Sequence, residues 1–242
     1  METGLYVALS GQIALQKRLD GIANNVANSS TPGFRADNST FESVISRNGR
    51  ASVAYSNSGQ VTFAPAAGPM TQTGNPLDVA IKGEGFLAIG TPSGTVYTRD
   101  GRMQVSASGD LETLAGLPIL DIGGAPLQID LQRGSIEILA DGTITQNGNT
   151  VGRLGLFLIP ADAKLSRYEG SGFIADAPAE PVTDYNRNGI VQGAIEGANV
   201  NPVLEMSRLI AVTRAFEALS NSIEQSDRKM SDAIRTLGGG QG

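Results

Sequence analysis

The sequence predicts an α+β protein, with N- and C-terminal helices that form a coiled-coil layer around a central β-rich antiparallel domain. Near both ends, apolar residues recur at alternating spacings of three and four, the a/d pattern of a coiled-coil helix. Between the ends, short apolar runs are separated by Asp-Gly and Asn-Gly turns, which is typical of antiparallel hairpins. The 31 glycines among 242 residues favour the same interior of short strands and many turns.

The first element is predicted to be a helix over about residues 2–28. Its stripe has one polar interruption, Gln12, and is otherwise formed by Leu5, Ala8, Leu15, Leu19, Ile22 and Val26. A lone helix with such a stripe is unstable in water until the stripe is covered. We therefore expect this helix to pack against the other end of the chain or against a neighbouring copy.

The helix should end within residues 24–34, because Pro32 cannot continue a helix and Gly33 adopts positive φ at little cost. This segment has three asparagines within five residues, more than a helix stop requires. We expect their side chains to bond a specific neighbouring backbone, with Phe34 filling an apolar pocket nearby. The sequence thus predicts that the turn locks one subunit to another.

Residues 35–75 predict an extended linker arm with one strand at 60–64. Ser, Asn, Gly and Ala predominate there, and apolar residues are scattered. Such a stretch is more natural as an arm that orders against a partner than as part of a compact core.

Residues 76–195 predict the central β-rich domain. No helix of crossover length interrupts them, so a parallel sheet is not expected. Turns are expected at 83–85, 99–102, 108–110, 140–142 and 146–149. The predicted strands are 77–81, 86–89, 96–98, 103–105, 117–122, 136–139 and 154–159.

Residues 196–242 predict a second axial helix with a flexible tail at 238–242. Asn201 is a natural N-cap, Pro202 suits the first helical position, and Glu205 suggests a capping-box-like arrangement. A helix running to about Leu237 would be roughly 50 Å long. Its stripe is interrupted by Ser226 and consists of Leu209, Val212, Phe216, Leu219, Ile223, Met230, Ala233 and Leu237.

Composition excludes several classes of function. The net charge is −6 and no Lys/Arg cluster occurs, so nucleic acid is not an expected partner. No apolar run reaches the length needed to insert into a membrane, and we expect no cleavable signal peptide. The chain has no Cys and no His, which removes thiol chemistry and the commonest general base and metal ligand. We therefore expect a protein that is not an enzyme, with no cofactor and no small-molecule substrate, although a carboxylate or lysine mechanism stays possible.

Two strings resemble ligand-binding motifs. Residues 83–88 match G-x-G-x-x-A, but the glycines and proline of 90–94 prevent the helix that a dinucleotide site requires, so a hairpin is expected. Residues 184–189 match the first half of a calcium loop. Its twelfth position is Ile195, with Glu196 one residue late, so a polar turn is expected and calcium binding stays open.

Two alternatives from other classes remain. Asp100 with Glu112, or Asp162 with Glu169, could serve a carboxylate enzyme acting on cell-wall glycan, although the sequence does not fix their separation. An extracellular coiled-coil adhesin would also use apolar helical stripes.

Three ordered motifs resemble the bacterial flagellar basal-body rod and hook family, and they touch both ends and the centre of the chain. Residues 35–61 match the family only loosely, and Pro32 stands where many relatives carry another residue. Residues 5–11 and 33–36 look most like the proximal-rod branch, and the distal-rod paralogue is the alternative. The motifs are residues 24–34, residues 73–81 with 83–86 and 97–101, and residues 196–206 with 214–218.

The resemblance implies a structural subunit of the proximal rod that polymerises through its terminal helices into a hollow, torque-transmitting shaft. It implies export through the flagellar type III apparatus, a place in the basal body that spans the periplasm, and partners that are other rod subunits and copies of itself. The residues expected at subunit interfaces are Leu5, Leu15, Leu19, Ile22, Asn24, Asn25, Val26, Asn28, Gly33, Phe34, Asn199, Asn201, Pro202, Met206, Leu209, Val212, Phe216, Leu219 and Ile223.

Overall fold

The computed structural model describes residues 2–46, 53–130, 132 and 134–238, with side chains left out at 2–6, 39–46, 53–61, 230, 234, 237 and 238. The chain divides into two compact units, each made of separate stretches of sequence. The helical unit comprises Met1–Ala27, Asp37–Ala64 and Asn201–Gly242. The β body comprises Asn28–Ala36 and Pro65–Val200.

The helical unit contains two helices and one hairpin. Helix α1 is Glu2–Ala27 and helix α2 is Pro202–Gly238, close to the predicted limits. Strands β1 (Asp37–Ser46) and β2 (Val53–Phe63) pair antiparallel. Helix α1 contacts α2 and both strands. Neither described helix carries an apolar stretch long enough to cross a membrane.

The hairpin replaces most of the linker arm predicted for residues 35–75. The pairing runs from Asp37 with Phe63 to Ser46 with Val53, and the register shifts between Ser39 and Phe41. Polar residues occupy most positions, so the alternation that marks a half-buried strand is weak in the sequence. A two-stranded hairpin is only marginally stable alone, and its contacts with α1 supply the missing support.

The β body consists of short strands whose pairings are all antiparallel, as the sequence predicts. The strands are β3 (Met70–Gln72), β4 (Val79–Lys82), β5 (Phe86–Thr91), β6 (Gly94–Thr98), β7 (Met103–Val105), β8 (Leu111–Thr113), β9 (Ile136–Ile138), β10 (Thr143–Gln146), β11 (Asn149–Arg153), β12 (Leu156–Leu158), β13 (Leu165–Tyr168), β14 (Gly172–Ala175), β15 (Glu180–Pro181), β16 (Gly189–Gln192) and β17 (Ala194–Glu196).

The largest sheet of the described residues has six strands in the order β13-β14-β6-β5-β12-β15. A three-stranded sheet has the order β11-β10-β9, and the pairs β16-β4, β17-β3 and β7-β8 complete the body. The turns predicted at 108–110, 140–142 and 146–149 each join two strands that pair with one another. The buried faces of the strands and bridges in the β body meet in a core that includes Leu87, Leu111, Ile119, Leu154 and Leu156.

Two sequence predictions within the β body are wrong. Residues 117–122 form isolated bridges and no strand, since Pro118 lacks the N–H that a continuous ladder needs. Residues 83–85 do not close a hairpin. They join β4 and β5, which belong to different sheets.

Candidate assembly surface and the turn segment

The two helices of the helical unit pack antiparallel. Gln12 Nε2 donates to Ser220 Oγ at 3.2 Å, and Asn25 near the end of α1 meets Glu205 near the start of α2. A Cβ added at Gly11 would lie 3.4 Å from Cδ2 of Leu219, so the absence of a side chain lets the helices approach closely. Ser220 lies outside the stripe predicted for α2, so Gln12, the polar interruption of the α1 stripe, has its partner beside the predicted stripe of α2.

Burial places the stripe residues predicted at interfaces, together with the interface residues predicted at the start of α2, in three groups. Ile22 and Val212 are buried, together with Ala14, which lies outside the predicted stripe of α1. Leu5 lies in α1 outside the described side chains, and Asn201, Pro202 and Met206 are exposed. The half-buried members are Leu15, Leu19, Val26, Leu209, Phe216, Leu219 and Ile223.

A second apolar stripe on α2 is exposed. Val203, Met206 and Ile210 are 74%, 55% and 57% exposed and lie three and four residues apart. At about 100° per residue, these positions fall on the side of α2 away from the stripe of Leu209 and Val212. On α1, Leu9 and Ile13 are also about half exposed and lie four residues apart. Sequence reasoning missed this stripe except for Met206, although the 203-206-210 spacing was available as a signal.

Helix α2 is also longer than its partner, with 37 residues against 26 in α1. The antiparallel contacts at Gln12 and Asn25 set the alignment, so the last turns of α2 extend beyond the start of α1. Ala233 of the predicted stripe lies in this extension and is exposed accordingly.

A polar cluster fixes the start of the hairpin in the helical unit. Asn25 is buried, accepts from the backbone N–H of Asp37 at 2.8 Å and donates to the Asp37 carbonyl at 3.1 Å. Asn24 donates to the Asp37 carboxylate at 2.6 Å. The carboxylate of Glu205, also buried, accepts from Arg208 and Asn25. The expected bonding of asparagines to a specific backbone is therefore made within the chain.

The start of α2 has the predicted N-cap. The Oδ1 of Asn201 accepts from the backbone N–H of Leu204 at 3.2 Å. Glu205 lies one position too late for a capping box, and its carboxylate faces Arg208 and Asn25.

The turn segment after α1 belongs to the β body. The N–H of Thr31 donates to the Asn28 carbonyl at 3.0 Å, and the N–H of Gly33 donates to the carbonyl of Glu196 at 2.8 Å. Gly33 has φ of 70°, and a Cβ there would lie 2.3 Å from the backbone nitrogen of Asp100. Only glycine combines this conformation with so close an approach.

Phe34 is completely buried within its own chain. The guanidinium of Arg167 lies 4.4 Å from the centroid of the Phe34 ring and 5.1 Å from that of Phe173. Arg167 also donates to the carbonyls of Arg35 at 2.6 Å and Gly170 at 2.8 Å. The apolar pocket expected for Phe34 therefore lies in the β body, and the ring is not available to a neighbour.

Three buried charges form a cluster next to Phe34. Glu196 accepts from Arg99 Nε at 2.7 Å through one carboxylate oxygen and pairs with Arg35 at 3.0 Å through the other. Arg99 donates further to the carbonyls of Ile81 and Gly85, at 2.8 and 2.6 Å. Two guanidiniums and one carboxylate leave a net positive charge, which these carbonyl dipoles help to compensate.

Burial and, next, the charge of Arg99 together lower the pKa of Arg35 to about 10, against the opposing effect of Glu196. The guanidinium therefore stays protonated at neutral pH. Sequence reasoning placed Arg99 in a predicted turn and weighed Glu196 as the last ligand of a calcium loop, but it did not predict that the three charges form a cluster.

Asn199 connects three segments of the β body. Its Oδ1 accepts from the N–H of Ala36 at 2.7 Å, and its Nδ2 donates to the carbonyl of Ala66 at 2.7 Å. Its backbone N–H donates to the carbonyl of Phe34 at 3.1 Å. Whether the residues predicted at interfaces contact neighbouring subunits stays a prediction. For Asn25, Gly33, Phe34 and Asn199, the structure shows contacts within their own unit.

The remaining motif residues have local partners. In the loop 184–189, Asp184 accepts from the N–H of Asn186, and Asn188 Oδ1 accepts from the N–H of Glu84 at 2.9 Å. The described part of the chain holds no group of three or more acidic residues placed to hold a metal ion.

Of the acids proposed for catalysis, Asp100 pairs with Arg102 at 2.7 Å and Glu112 accepts from Gln104 at 2.9 Å. The hydrogen bonding of the Arg102 guanidinium, which donates to the Asp100 carboxylate, is the main cause that raises the pKa of Arg102.

Three family models match the chain in order. The model "Flagella basal body rod protein" matches residues 5–35, the "Flagellar hook protein FlgE/F/G D1 domain" matches 80–146, and the "Flagellar basal body rod FlgEFG protein C-terminal" matches 191–236. With the helical unit and the antiparallel β body, these matches define a structural protein of the flagellar rod and hook class.

Curated relatives indicate which family within this class the chain belongs to. The flagellar basal-body rod protein FlgF of Mesorhizobium japonicum is 47% identical, and the alignment covers 98% of this chain and 99% of the relative. FlgF of Rhizobium meliloti is 43% identical over 99% of both chains. The rod protein FlgG of Bacillus subtilis is 29% identical over 97% of this chain and 98% of the relative. The chain belongs to the flagellar basal-body rod protein FlgF family, and it is a structural rod subunit of the basal body.

Proposed function

We propose that the chain polymerises through its two terminal helices into a hollow, torque-transmitting shaft, the proximal rod. The observation that carries this proposal is the exposed apolar stripe of α2, formed by Val203, Met206 and Ile210. The proposed occupant of this stripe is a helix of a neighbouring rod subunit, either another copy of this chain or a different rod protein.

The exposed apolar side chains of α2 favour the helices as the contacts between subunits of the polymer. The exposed stripe lies on a different side of α2 from the stripe already used inside the chain, so a neighbour that covers it need not displace α1 and would extend the helical packing into a coiled-coil layer. The last turns of α2, which extend beyond α1, offer a second surface for the same purpose. Exposed apolar side chains grouped on one helix face gain free energy when a partner covers them.

The proposal includes the route to the assembly site. The chain would pass through the flagellar type III export apparatus without cleavage of a signal peptide and would assemble in the periplasm-spanning basal body. A chain without cysteine suits this route, because no thiol can be oxidised outside the cytoplasm. Neither catalysis nor a cofactor enters the proposed role. The higher identity to relatives named FlgF than to FlgG favours the proximal over the distal rod.

The test is the substitution Ile210→Asp. Because Ile210 is 57% exposed, the monomer should fold normally and keep its helical circular dichroism. Burying a carboxylate between subunits costs roughly several kcal/mol, and the polymer repeats that cost at every subunit. We expect a strong loss of basal bodies in electron micrographs and of swimming.

The control is Ile210→Met, which keeps an apolar side chain of similar volume and should assemble normally. Normal basal-body yield with the aspartate variant would contradict the proposed stripe. Cryo-electron images of isolated basal bodies, with the density of this subunit located, would test its place in the proximal rod.

A further inference from the structure

We propose that Arg35, Glu196 and Asn199 form a clip that fixes the places where the chain leaves the β body. The chain passes between its two units four times, at residues 27/28, 36/37, 64/65 and 200/201. Each of the three clip residues lies within five residues of one of these exits and bonds a segment that leads to another.

The contacts of the clip all lie inside the β body. Asn199 bonds the backbone of Ala36 and of Ala66, next to the second and third exits. Arg35 NH1 donates to the carbonyl of Pro65 at 3.0 Å. These contacts tie the segment before the hairpin to the segment after it.

Glu196 connects the remaining segments. Its carboxylate accepts from the N–H of Gly68 at 3.1 Å, and its backbone carbonyl accepts from the N–H of Gly33. It also pairs with Arg35. The turn segment, the return from the hairpin and the approach to α2 are thus bonded to one another by side chains that are buried or half-buried.

Residues 33–36, 65–69 and 197–200 lie outside the strands, and only a few backbone hydrogen bonds hold them, such as those from Gly197 to Pro69 and from Asn199 to Phe34. The side chains of the clip add the bonds that a regular sheet would otherwise supply. A force that enters the β body through any one exit is then shared among the bonded segments. It does not pull a single segment away from the edge of the β body. In this scheme the clip residues are positioning residues. They need no contact with a neighbouring subunit.

The role in transmitting force rests on the proposed function, whereas the clip itself can be measured on the full-length monomer. The test variant is Asn199→Ala, which removes two side-chain bonds without stranding a charge. The matched control is Asn149→Ala, at an exposed position of β11. The rescue variant is Asn199→Asp, which keeps an acceptor for the N–H of Ala36.

Hydrogen exchange should report a local change. In Asn199→Ala the amide of Ala36 loses its acceptor, and we expect its exchange to rise about tenfold, the effect of losing one typical hydrogen bond. Amides in β5 and in α1 should keep their protection. The control should match the natural chain, and the aspartate variant should protect Ala36 again.

An unchanged amide of Ala36 would overturn the clip, and so would a uniform loss of protection across the β body, which indicates only global stability. The force role is tested by counting basal bodies and measuring swimming in viscous medium. We expect normal basal-body yield with a loss of swimming under load. Normal swimming under load, despite faster local exchange, would overturn the force role.

Failure of the proposed function would look different. In that case Ile210→Asp would leave basal-body yield unchanged while Asn199→Ala still gave the local change in exchange.

Discussion

Among single residues, Glu196 controls the buried charges of the β body, because Arg35 and Arg99 share its carboxylate. An ion pair buried this deeply stabilises little in net terms, since the desolvation of the charges offsets most of the Coulomb attraction. Removing one charged partner, in contrast, strongly lowers the free energy of unfolding. The remaining charges then stay in the interior without compensation.

The substitution Glu196→Gln should therefore destabilise the β body by about 3–5 kcal/mol. The glutamine fills nearly the same volume, so the loss reports the charge and not the packing. Urea unfolding followed by tyrosine fluorescence measures it, since Tyr97, Tyr168 and Tyr185 lie in this unit. Glu180→Gln, at an exposed position, is the control and should change stability by less than about 0.5 kcal/mol. A similar small change in both variants would mean that Glu196 does not compensate the arginines.

For single residues, the sequence predicts bonds to adjacent backbone, and it does not predict pairs of residues that lie far apart in the chain. The N-cap role of Asn201 and the sharp turn at Gly33 could be predicted, because each depends on adjacent backbone. The pairing of Arg99 with Glu196 joins residues 97 positions apart, and no periodicity or spacing records it. The same reason explains why Phe34, which looks like an interface anchor in the sequence, is a core residue.

At the scale of elements, the close approach of α1 and α2 depends on Gly11. A Cβ there would just reach van der Waals distance of Leu219, whereas a Cβ at Gly21 would meet nothing within 4 Å. Gly11 and Gly21 of α1 therefore differ in the space around them, and they provide a matched pair for testing the helix contact.

Gly21→Ala should stabilise the helical unit by up to about 1 kcal/mol, because alanine has the higher helix propensity. Gly11→Ala should be nearly neutral, and Gly11→Leu should cost about 1–3 kcal/mol by forcing the helices apart. Thermal unfolding of the monomer, followed by helical circular dichroism, measures all three variants. If leucine were tolerated at Gly11 as well as alanine is at Gly21, the described helix packing would be contradicted.

The elements differ in how much of them the sequence predicts. Both helices follow from local periodicity, and their limits agree with the prediction within one or two residues. Strands made of a short apolar run, such as β5 and β12, could also be predicted. The hairpin β1–β2 and strand β13 are rich in polar residues, so the sequence carries little apolar pattern from which to predict them.

At the scale of the whole molecule, the units are not the sequence segments that composition suggests. The sequence predicts a central domain at 76–195 flanked by a linker and helices, and this division stays a prediction. The contact-defined β body also includes Asn28–Ala36 and extends to Val200. A segment next to the N-terminal helix thus contributes Phe34 and Arg35 to a core built mostly from residues far along the chain.

These differences predict the behaviour of two fragments. The fragment 76–195 lacks Phe34, Arg35 and Glu196, so it leaves the guanidinium of Arg99 without its carboxylate partner. Losing a buried phenylalanine costs about 3–5 kcal/mol, and stranding a buried charge costs a similar amount. Because domains are stable by only about 5–15 kcal/mol, this fragment should be largely unfolded. The fragment 28–200 retains all these groups and should unfold cooperatively in urea. Cooperative unfolding of 76–195 at a similar urea concentration would contradict the assignment of the turn segment to the β body.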